Sequence, residues 1–222
     1  MRYAAIRGLR PSDYIYQPKM FYMEKVQLSF GDTLKDSVTI GLKNAPSILG
    51  CIALWIITIW IPWINVGTTI AIMTLPIELS KGHVISPTSI FDAKYRKYFG
   101  EVFMTMGLMY IPIFIAMMFM IIPGIVLGIA WSLSIYLVLD KGKNPTAAIS
   151  ASNEATYGSK WAIFGVMLVL AICIVILGIV LGLIFGLMKI AIVGSIITYI
   201  IGFSLQVAAN ASIYRQLQNN VE

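Results

Sequence analysis

Few side chains in this sequence could work together as acids, bases, nucleophiles or metal ligands. His83 is the only histidine, and it lies, like Asp140 and Glu154, in a polar segment between apolar ones. The two cysteines, Cys51 and Cys173, lie within apolar segments, without the cysteine and histidine spacing of a metal site. Since a lone histidine in a polar loop is usually just solvated, we expect no catalytic residue, no cofactor and no metal ion.

Uncharged polar residues inside the apolar segments are the other candidates. Ser204, Gln206 and Asn210 lie in the same half of the last apolar segment. They could line a small polar path for a solute, although hydrogen bonding between helices is the commoner role of such residues in a membrane. The interiors of the apolar segments hold no ionisable residue, which disfavours proton-coupled or ion-coupled transport.

The composition places these residues in a membrane protein. Hydrophobic residues make up 59% of the 222 residues and charged residues 12%, against about 25% charged residues in a soluble domain. We predict an all-α integral membrane protein with six transmembrane helices in three hairpins, each preceded by an amphipathic helix on the cytoplasmic surface. The predicted spans are residues 45–60, 65–79, 101–121, 124–139, 162–184 and 190–213, and the predicted surface helices are residues 30–44, 86–98 and 146–157.

Proline and glycine mark the predicted hairpin turns and suggest a repeat. Pro62 ends the first span, and Pro123 with Gly124 divides the next long apolar run, because proline removes a backbone donor and glycine permits a reversal. Pro62 and Pro123 recur at a spacing of about 60 residues, which indicates three parallel units. The expected divisions are a basic, aromatic tail over 1–29, a transmembrane domain over 30–217 with units 30–85, 86–144 and 145–217, and a polar tail over 218–222.

Two glycine series predict close helix packing. Gly178, Gly182 and Gly186 recur every fourth residue, as do Gly124 and Gly128, so each series lies on one helix stripe. We expect these stripes to pack against other helices of the same chain. Homodimerisation is the alternative.

The distribution of charge predicts the orientation. Of the 16 Lys and Arg residues, 15 fall on one side of the predicted arrangement, and only Lys189 falls on the other. All 10 acidic residues lie on the first side or at its boundary. Because basic residues near short loops stay in the cytoplasm, both termini are predicted to be cytoplasmic. The formal net charge of +6 is then explained by anionic lipid headgroups, without nucleic acid.

Several stretches carry a resemblance to a known family. They are residues 122–128, 131–132, 136–145, 158–165 and 211–217, together with Ala148 and Ser152. In them the chain resembles an uncharacterised bacterial six-helix membrane family related to the membrane domain of glycerophosphodiester phosphodiesterases. The resemblance covers roughly residues 32–217, departs at 153–156, and implies a multi-pass protein of the bacterial cytoplasmic membrane. It transfers no catalytic residue, since the chemistry of those enzymes belongs to a separate soluble domain.

These observations favour a non-enzymatic membrane scaffold or accessory subunit. Its amphipathic helices would present the cytoplasmic face to partner proteins or lipids, either as one chain or as a homo-oligomer. The alternative is a small-solute transporter or channel, with a path among the three hairpins or at the centre of an oligomer. A weaker third possibility is a lipid enzyme that uses Asp140, His83 or Glu154 at the inner membrane surface.

Overall fold

The computed structural model of the protein describes residues 25–221. Most of the predicted tail over 1–29 lies outside the described residues. The described chain is helical and without strands, and five helices are long and apolar enough to cross a membrane, which confirms the predicted all-α class. The helices are α1 (Phe30–Thr58), α2 (Pro62–Ser80), α3 (Lys94–Lys97), α4 (Phe99–Phe119), α5 (Ile121–Ala130), α6 (Ser134–Lys141), α7 (Pro145–Thr156), α8 (Lys160–Leu187) and α9 (Ala191–Leu217), with 3-10 helices at Pro87–Phe91 and Gln218–Val221.

α1 is one continuous helix where the sequence predicted two elements. Pro46 lies inside it without ending it, because a membrane helix can satisfy the carbonyl that proline frees through neighbouring groups. The division into a surface helix over 30–44 and a span over 45–60 is therefore wrong. At 1.5 Å per residue the single helix is about 43 Å long, more than the hydrocarbon core of roughly 30 Å requires.

The first half of α1 buries a polar stripe rather than its apolar one. The buried residues at helical spacing are Thr33, Ser37, Gly41 and Asn44. The apolar Val38 and Leu42 are instead 47% and 50% exposed. In lipid, helices gain nothing by hiding apolar side chains from their surroundings, whereas small residues allow backbones to approach closely. The small stripe therefore faces the protein.

α2 lies in the core of the first half of the chain and is not one of the five candidate spans. Pro62 occupies its first turn, following an extended Ile61, where proline costs no hydrogen bond. The neighbouring Trp60 and Trp63 are both strongly exposed. The buried apolar residues of α2 include Ile70, Ala71, Leu75 and Leu79, which cluster with residues of α1.

The predicted surface helix over 86–98 is absent. The structure has the 3-10 helix Pro87–Phe91 and the single turn α3 instead, and this segment packs on α1 and α2. Ile90 and Tyr95 are buried in the same cluster as the core residues of α2. Two glycines provide the space: a Cβ on Gly50 would lie 2.7 Å from Pro87 Cγ, and one on Gly67 would lie 2.8 Å from the side chain of Arg96.

The turn between α4 and α5 lies before the predicted proline and glycine. Met120 is the extended residue that separates the two helices, and Pro123 falls in the first turn of α5. Gly124 is buried against α4, where a Cβ would lie 2.5 Å from Met117 Cγ. Gly124 thus serves the close approach of two helices rather than the reversal itself.

The predicted span over 124–139 lies within the candidate span Ile121–Lys141, whose helix is interrupted between α5 and α6. The break frees the carbonyl of Ala130 and the amide of Leu133, and Ser152 of α7 bonds both: its Oγ donates to Ala130 O at 2.8 Å and accepts from Leu133 N at 3.1 Å. α7 therefore supplies the partners that an uninterrupted helix would have provided. A buried backbone group left without a partner would cost roughly 1–3 kcal/mol.

α7 matches the third predicted surface helix, over 146–157, to within one residue. The Asn144 side chain caps it by accepting from the Ala147 amide, and Gly142 ends α6 in the left-handed region at φ 62°. The three predicted units are nevertheless built differently, because their leading segments are half of a long helix, a 3-10 segment and a separate helix. α8 and α9 follow close to the predicted spans, joined at Lys189, whose φ is 59°.

Candidate functional site: the polar end of the helix bundle

The ion pairs of the described chain gather where several helices begin or end. We call this region the polar end and define it by Asp36 near the start of α1, Lys81 after α2, Asp140 near the end of α6, and Tyr214 and Arg215 of α9. Asp36 pairs with Arg215, and Asp140 pairs with Lys81. These pairs join parts of the chain that are far apart in sequence, so only the fold brings them together.

Asp36 is the centre of the first cluster. Arg215 and Ser212 both donate to its Oδ2, with Ser212 Oγ at 2.7 Å. Gln216 then links this serine to α1, because its Nε2 donates to Ser212 Oγ at 3.1 Å and to Thr33 Oγ1 at 3.0 Å. Thr33 and Ser212 are buried, so the cluster satisfies polar groups that have no access to water.

Asp140 is the centre of the second cluster. Its Oδ1 pairs with Lys81, and its Oδ2 accepts from the Tyr214 hydroxyl at 2.7 Å. The Asp140 side chain is 13% exposed, and Tyr136 packs edge-on against the buried ring of Tyr214. A mostly buried carboxylate that is paired with a cation and a hydroxyl has a structural role. It joins the ends of α2, α6 and α9.

The segment before α1 is fastened across the same end. Asn220 pairs with the backbone of Val26, accepting from its amide at 2.9 Å and donating to its carbonyl at 2.8 Å. Ser159 Oγ accepts from the buried Leu28 amide at 2.9 Å. The two ends of the described chain therefore lie side by side.

A polar pocket of about 310 Å³ lies between α2 and the folded-back segment that follows it. Glu78, His83 and Lys94 line it, together with the hydroxyls of Ser86 and Ser89. His83 Nδ1 lies 3.0 Å from Glu78 Oε2, and Lys94 Nζ lies 4.0 Å from Glu78 Oε1. This is the only place in the described chain where the histidine meets an acid.

Several cations at the surface lack an acidic partner among the described residues. They include Lys35 and Lys43 on the exposed face of α1, and Arg96 and Lys97 of α3, where the Arg96 side chain lies against Gly67 of α2. Exposed lysine and arginine side chains at a membrane surface attract anionic headgroups, at roughly 1 kcal/mol each. These four residues leave outward-facing positive charge, while the paired residues hold the helices together.

The three residues of the weak enzyme hypothesis have separate partners. His83 bonds Glu78, Asp140 bonds Lys81 and Tyr214, and the backbone carbonyl of Glu154 accepts from Lys25 at 3.0 Å. No hydrogen bond or ion pair in residues 25–221 joins any two of the three. No group of three or more histidine, cysteine, aspartate or glutamate residues in that range could hold a metal ion.

Ser204 points away from the other two residues of the predicted solute path. Ser204 is buried beside Gly41 of α1 and donates to Ile200 O of its own helix. Gln206 faces α8, where its Nε2 lies 2.9 Å from Met167 Sδ. Residues two apart on a helix are about 200° apart around its axis, and Asn210 is only partly buried. The structure therefore does not combine the three into one polar path.

The glycine series also divide. A Cβ on Gly178 would lie 3.3 Å from Thr198 Cγ2, so this glycine packs on α9. Gly182, Gly186 and Gly128 would meet nothing within 4 Å among the described residues. The packing predicted within the chain is therefore wrong for these three, since a stripe of small residues shows where a helix can approach and not whether one does.

The sequence prediction missed the main seam between helices. We define the α1–α9 seam by Thr33, Ser37 and Gly41 of α1, and by Ser204, Ala208 and Ser212 of α9, all of which are buried. A Cβ on Gly41 would lie 3.0 Å from Ser204 O. Small residues recur every fourth position on both helices, which is the spacing of close membrane packing. The spacing of small residues on α1 can be read from the sequence, but the lysines between them favour the interpretation of a surface helix.

Comparisons with protein-family models, with curated proteins and with solved structures found no match to this chain. The case for function therefore depends on the polar end and on the five apolar helices.

Proposed function

We propose that the protein is a non-enzymatic membrane scaffold or accessory subunit whose polar end faces the cytoplasm and binds lipids or a partner protein. It would lie in a bacterial cytoplasmic membrane as three helical hairpins, with both termini inside. The proposal depends on one observation, namely that some charged residues pair within the bundle while others remain exposed. Asp36 and Asp140 pair within the bundle, whereas Lys35 and Lys43 are exposed and have no acidic partner among the described residues.

Such a surface suits an anionic partner. The unpaired cations belong to α1 and to the segment packed on α1 and α2, so they are held on a rigid base. Preorganised charge binds an anionic surface with little loss of side-chain freedom beyond that of the lysines themselves. The absence of a common polar path favours this proposal over the transporter alternative.

Vesicle binding and copurification test the proposal together. The Lys35→Gln, Lys43→Gln double variant should lose its preference for vesicles with anionic lipid over neutral vesicles, measured by reconstitution yield and by lipid retention. Lys189→Gln, which removes a cation from the opposite turn, should keep that preference. Purification from native membranes in mild detergent should recover a stoichiometric partner or anionic lipid with the wild-type chain. Recovery of neither would overturn the proposal.

Cysteine labelling tests the orientation. A cysteine placed by Lys143→Cys, in the Cys51→Ser, Cys173→Ser background, should resist a membrane-impermeant maleimide in intact cells. A cysteine placed by Lys189→Cys should react. The reverse pattern would show that the polar end faces outward.

A further inference from the structure

The pocket beside α2 contains two opposite charges that lie close together but do not hydrogen-bond to each other. Glu78 Oε2 is engaged by His83, while Glu78 Oε1 has no hydrogen-bond donor among the described residues. Lys94 Nζ lies 4.0 Å from that oxygen, which is an ion pair beyond hydrogen-bond length. Both groups therefore keep hydrogen-bonding capacity on the side of the pocket.

The two charges also remain accessible. The Glu78 side chain is 33% exposed and that of Lys94 is 52% exposed. Burial alone lowers the pKa of Lys94, but Tyr95, Glu78 and Asp92 outweigh this and raise the pKa above its ordinary value. The ammonium of Lys94 therefore stays charged in neutral solution.

The rest of the lining suits an amphiphile. Ala71, Leu75, Ile85 and Ile90 form an apolar wall, and Ser86 and Ser89 place hydroxyls at the polar side. A volume of about 310 Å³ is at the lower end of the range for small-ligand pockets, roughly 300–1,000 Å³. A headgroup of a few heavy atoms fits this space.

We infer that this pocket binds a zwitterionic phosphoethanolamine group, with the ligand ammonium on Glu78 and the phosphate on Lys94 and the serine hydroxyls. Glu78 and Lys94 give the lining one negative and one positive charge. Asp92, whose Oδ2 lies 3.8 Å from Lys94 Nζ, adds negative charge behind the lysine, so a zwitterion matches the site better than a simple anion. A primary ammonium donates three hydrogen bonds to acceptors such as Glu78 Oε1, and a trimethylammonium donates none. The pocket therefore distinguishes ethanolamine from choline headgroups.

This inference deepens the proposed function, on which it rests for the presence of membrane lipid at the polar end. Native mass spectrometry of the full chain, stripped of lipid and titrated with single phospholipids, tests it. Phosphatidylethanolamine should bind in preference to phosphatidylcholine and phosphatidylglycerol, and Glu78→Gln and Lys94→Gln should each weaken it by about tenfold, roughly the loss of one charge-assisted hydrogen bond. Glu101→Gln and Lys189→Gln are controls outside the pocket and should bind as the wild type does.

Free phosphoethanolamine distinguishes the two sources of the same group. Competition by the free compound would show that the pocket binds the headgroup without acyl chains. Failure to compete would show that binding also requires acyl chains against the apolar wall. Both results agree with the inference. Equal binding of all three lipids, or unchanged binding in both pocket variants with normal circular dichroism, would overturn it. A chain that recovers a partner yet lacks this lipid preference would refute the pocket and keep the scaffold. A chain that shows the lipid preference but recovers neither a partner nor anionic lipid would keep the pocket and refute the scaffold.

Discussion

The α1–α9 seam and the second half of α8, with Gly178, Gly182 and Gly186, both carry small residues at every fourth position, yet they pack differently. In the seam, Thr33 and Ser37 are fully buried and Gly41 touches the backbone of α9. On α8, Gly182 and Gly186 face open space, and α8 is mostly exposed. The seam has hydrogen-bonding side chains at one end, whereas a Cβ on Gly182 or Gly186 would meet no described residue within 4 Å.

The difference indicates what selects a partner in this protein. α8 has the highest mean hydropathy of the candidate spans, 3.4, and lipid solvates such a helix as well as protein does. α1 carries Asp36 and Thr33, which bond Ser212, Arg215 and Gln216 of α9, and lipid offers no such partners. Burial therefore follows the need for hydrogen-bond partners more than the presence of glycine.

The largest expected effect comes from filling the seam. Gly41→Leu would place its side chain against Ser204 O and Leu205 Cα, backbone atoms that cannot move aside easily. We expect a loss of about 3 kcal/mol in the free energy of unfolding, which is at the upper end of the usual range for an overpacked site. Gly182→Leu, on the open stripe, should change stability little. Denaturant titration in detergent micelles measures both, and equal losses would remove the distinction between the two stripes.

A smaller effect is expected from single hydroxyls on α9. Ser212→Ala removes a donor to Asp36 and an acceptor for Gln216, which should cost about 1–2 kcal/mol. Ser195→Ala is the matched change in the outward half, where the hydroxyl bonds only Ala191 O of its own helix. Thermal unfolding should separate the two variants, and a Ser195→Ala loss as large as that of Ser212→Ala would contradict the prediction.

The ion pair that closes the seam should contribute less. In a double-mutant cycle, Asp36→Asn and Arg215→Gln should couple by about 0.5–1 kcal/mol, because the Arg215 side chain is 44% exposed and water screens the charges. The coupling should fall at high salt. A salt-independent coupling several times larger would mean that the pair is shielded in the membrane-bound state.

The smallest change should have the opposite sign. Gly182→Ala meets no neighbour among the described residues, so it should stabilise α8 by up to about 1 kcal/mol through helix propensity. Equilibrium unfolding and the oligomeric state by light scattering are the measurements. Destabilisation with loss of a dimer would show that the open stripe packs on a second copy of the chain.

Much of the order of elements was predictable, and the errors share one cause. The spans over 101–121, 162–184 and 190–213 fall close to α4, α8 and α9, because long apolar runs leave no other stable arrangement in lipid. The helix over 30–44 was placed on the surface because its lysines alternate with apolar residues. In the structure it continues into the next span and turns its small polar stripe inward.

The candidate site was less predictable than the helices. Glu78, His83 and Lys94 could be identified as polar, but only the folded-back segment after α2 brings Lys94 beside Glu78. Neither the pairing of Asp140 with Lys81 nor that of Asp36 with Arg215 follows from local spacing. Residues so far apart in sequence meet only when the helices have chosen their neighbours.

The sequence by itself determined that the chain is a helical membrane protein with its charge gathered in a few segments. Hydropathy supports this conclusion because the free energy of partitioning adds up over the residues of one helix. The tertiary structure decided which stripe of α1 is buried, that Ser152 completes a broken helix, and that the segment over 87–97 fills the notches at Gly50 and Gly67. These outcomes depend on the close approach of two backbones and on buried hydrogen bonds, which are properties of pairs of helices and not of either sequence alone.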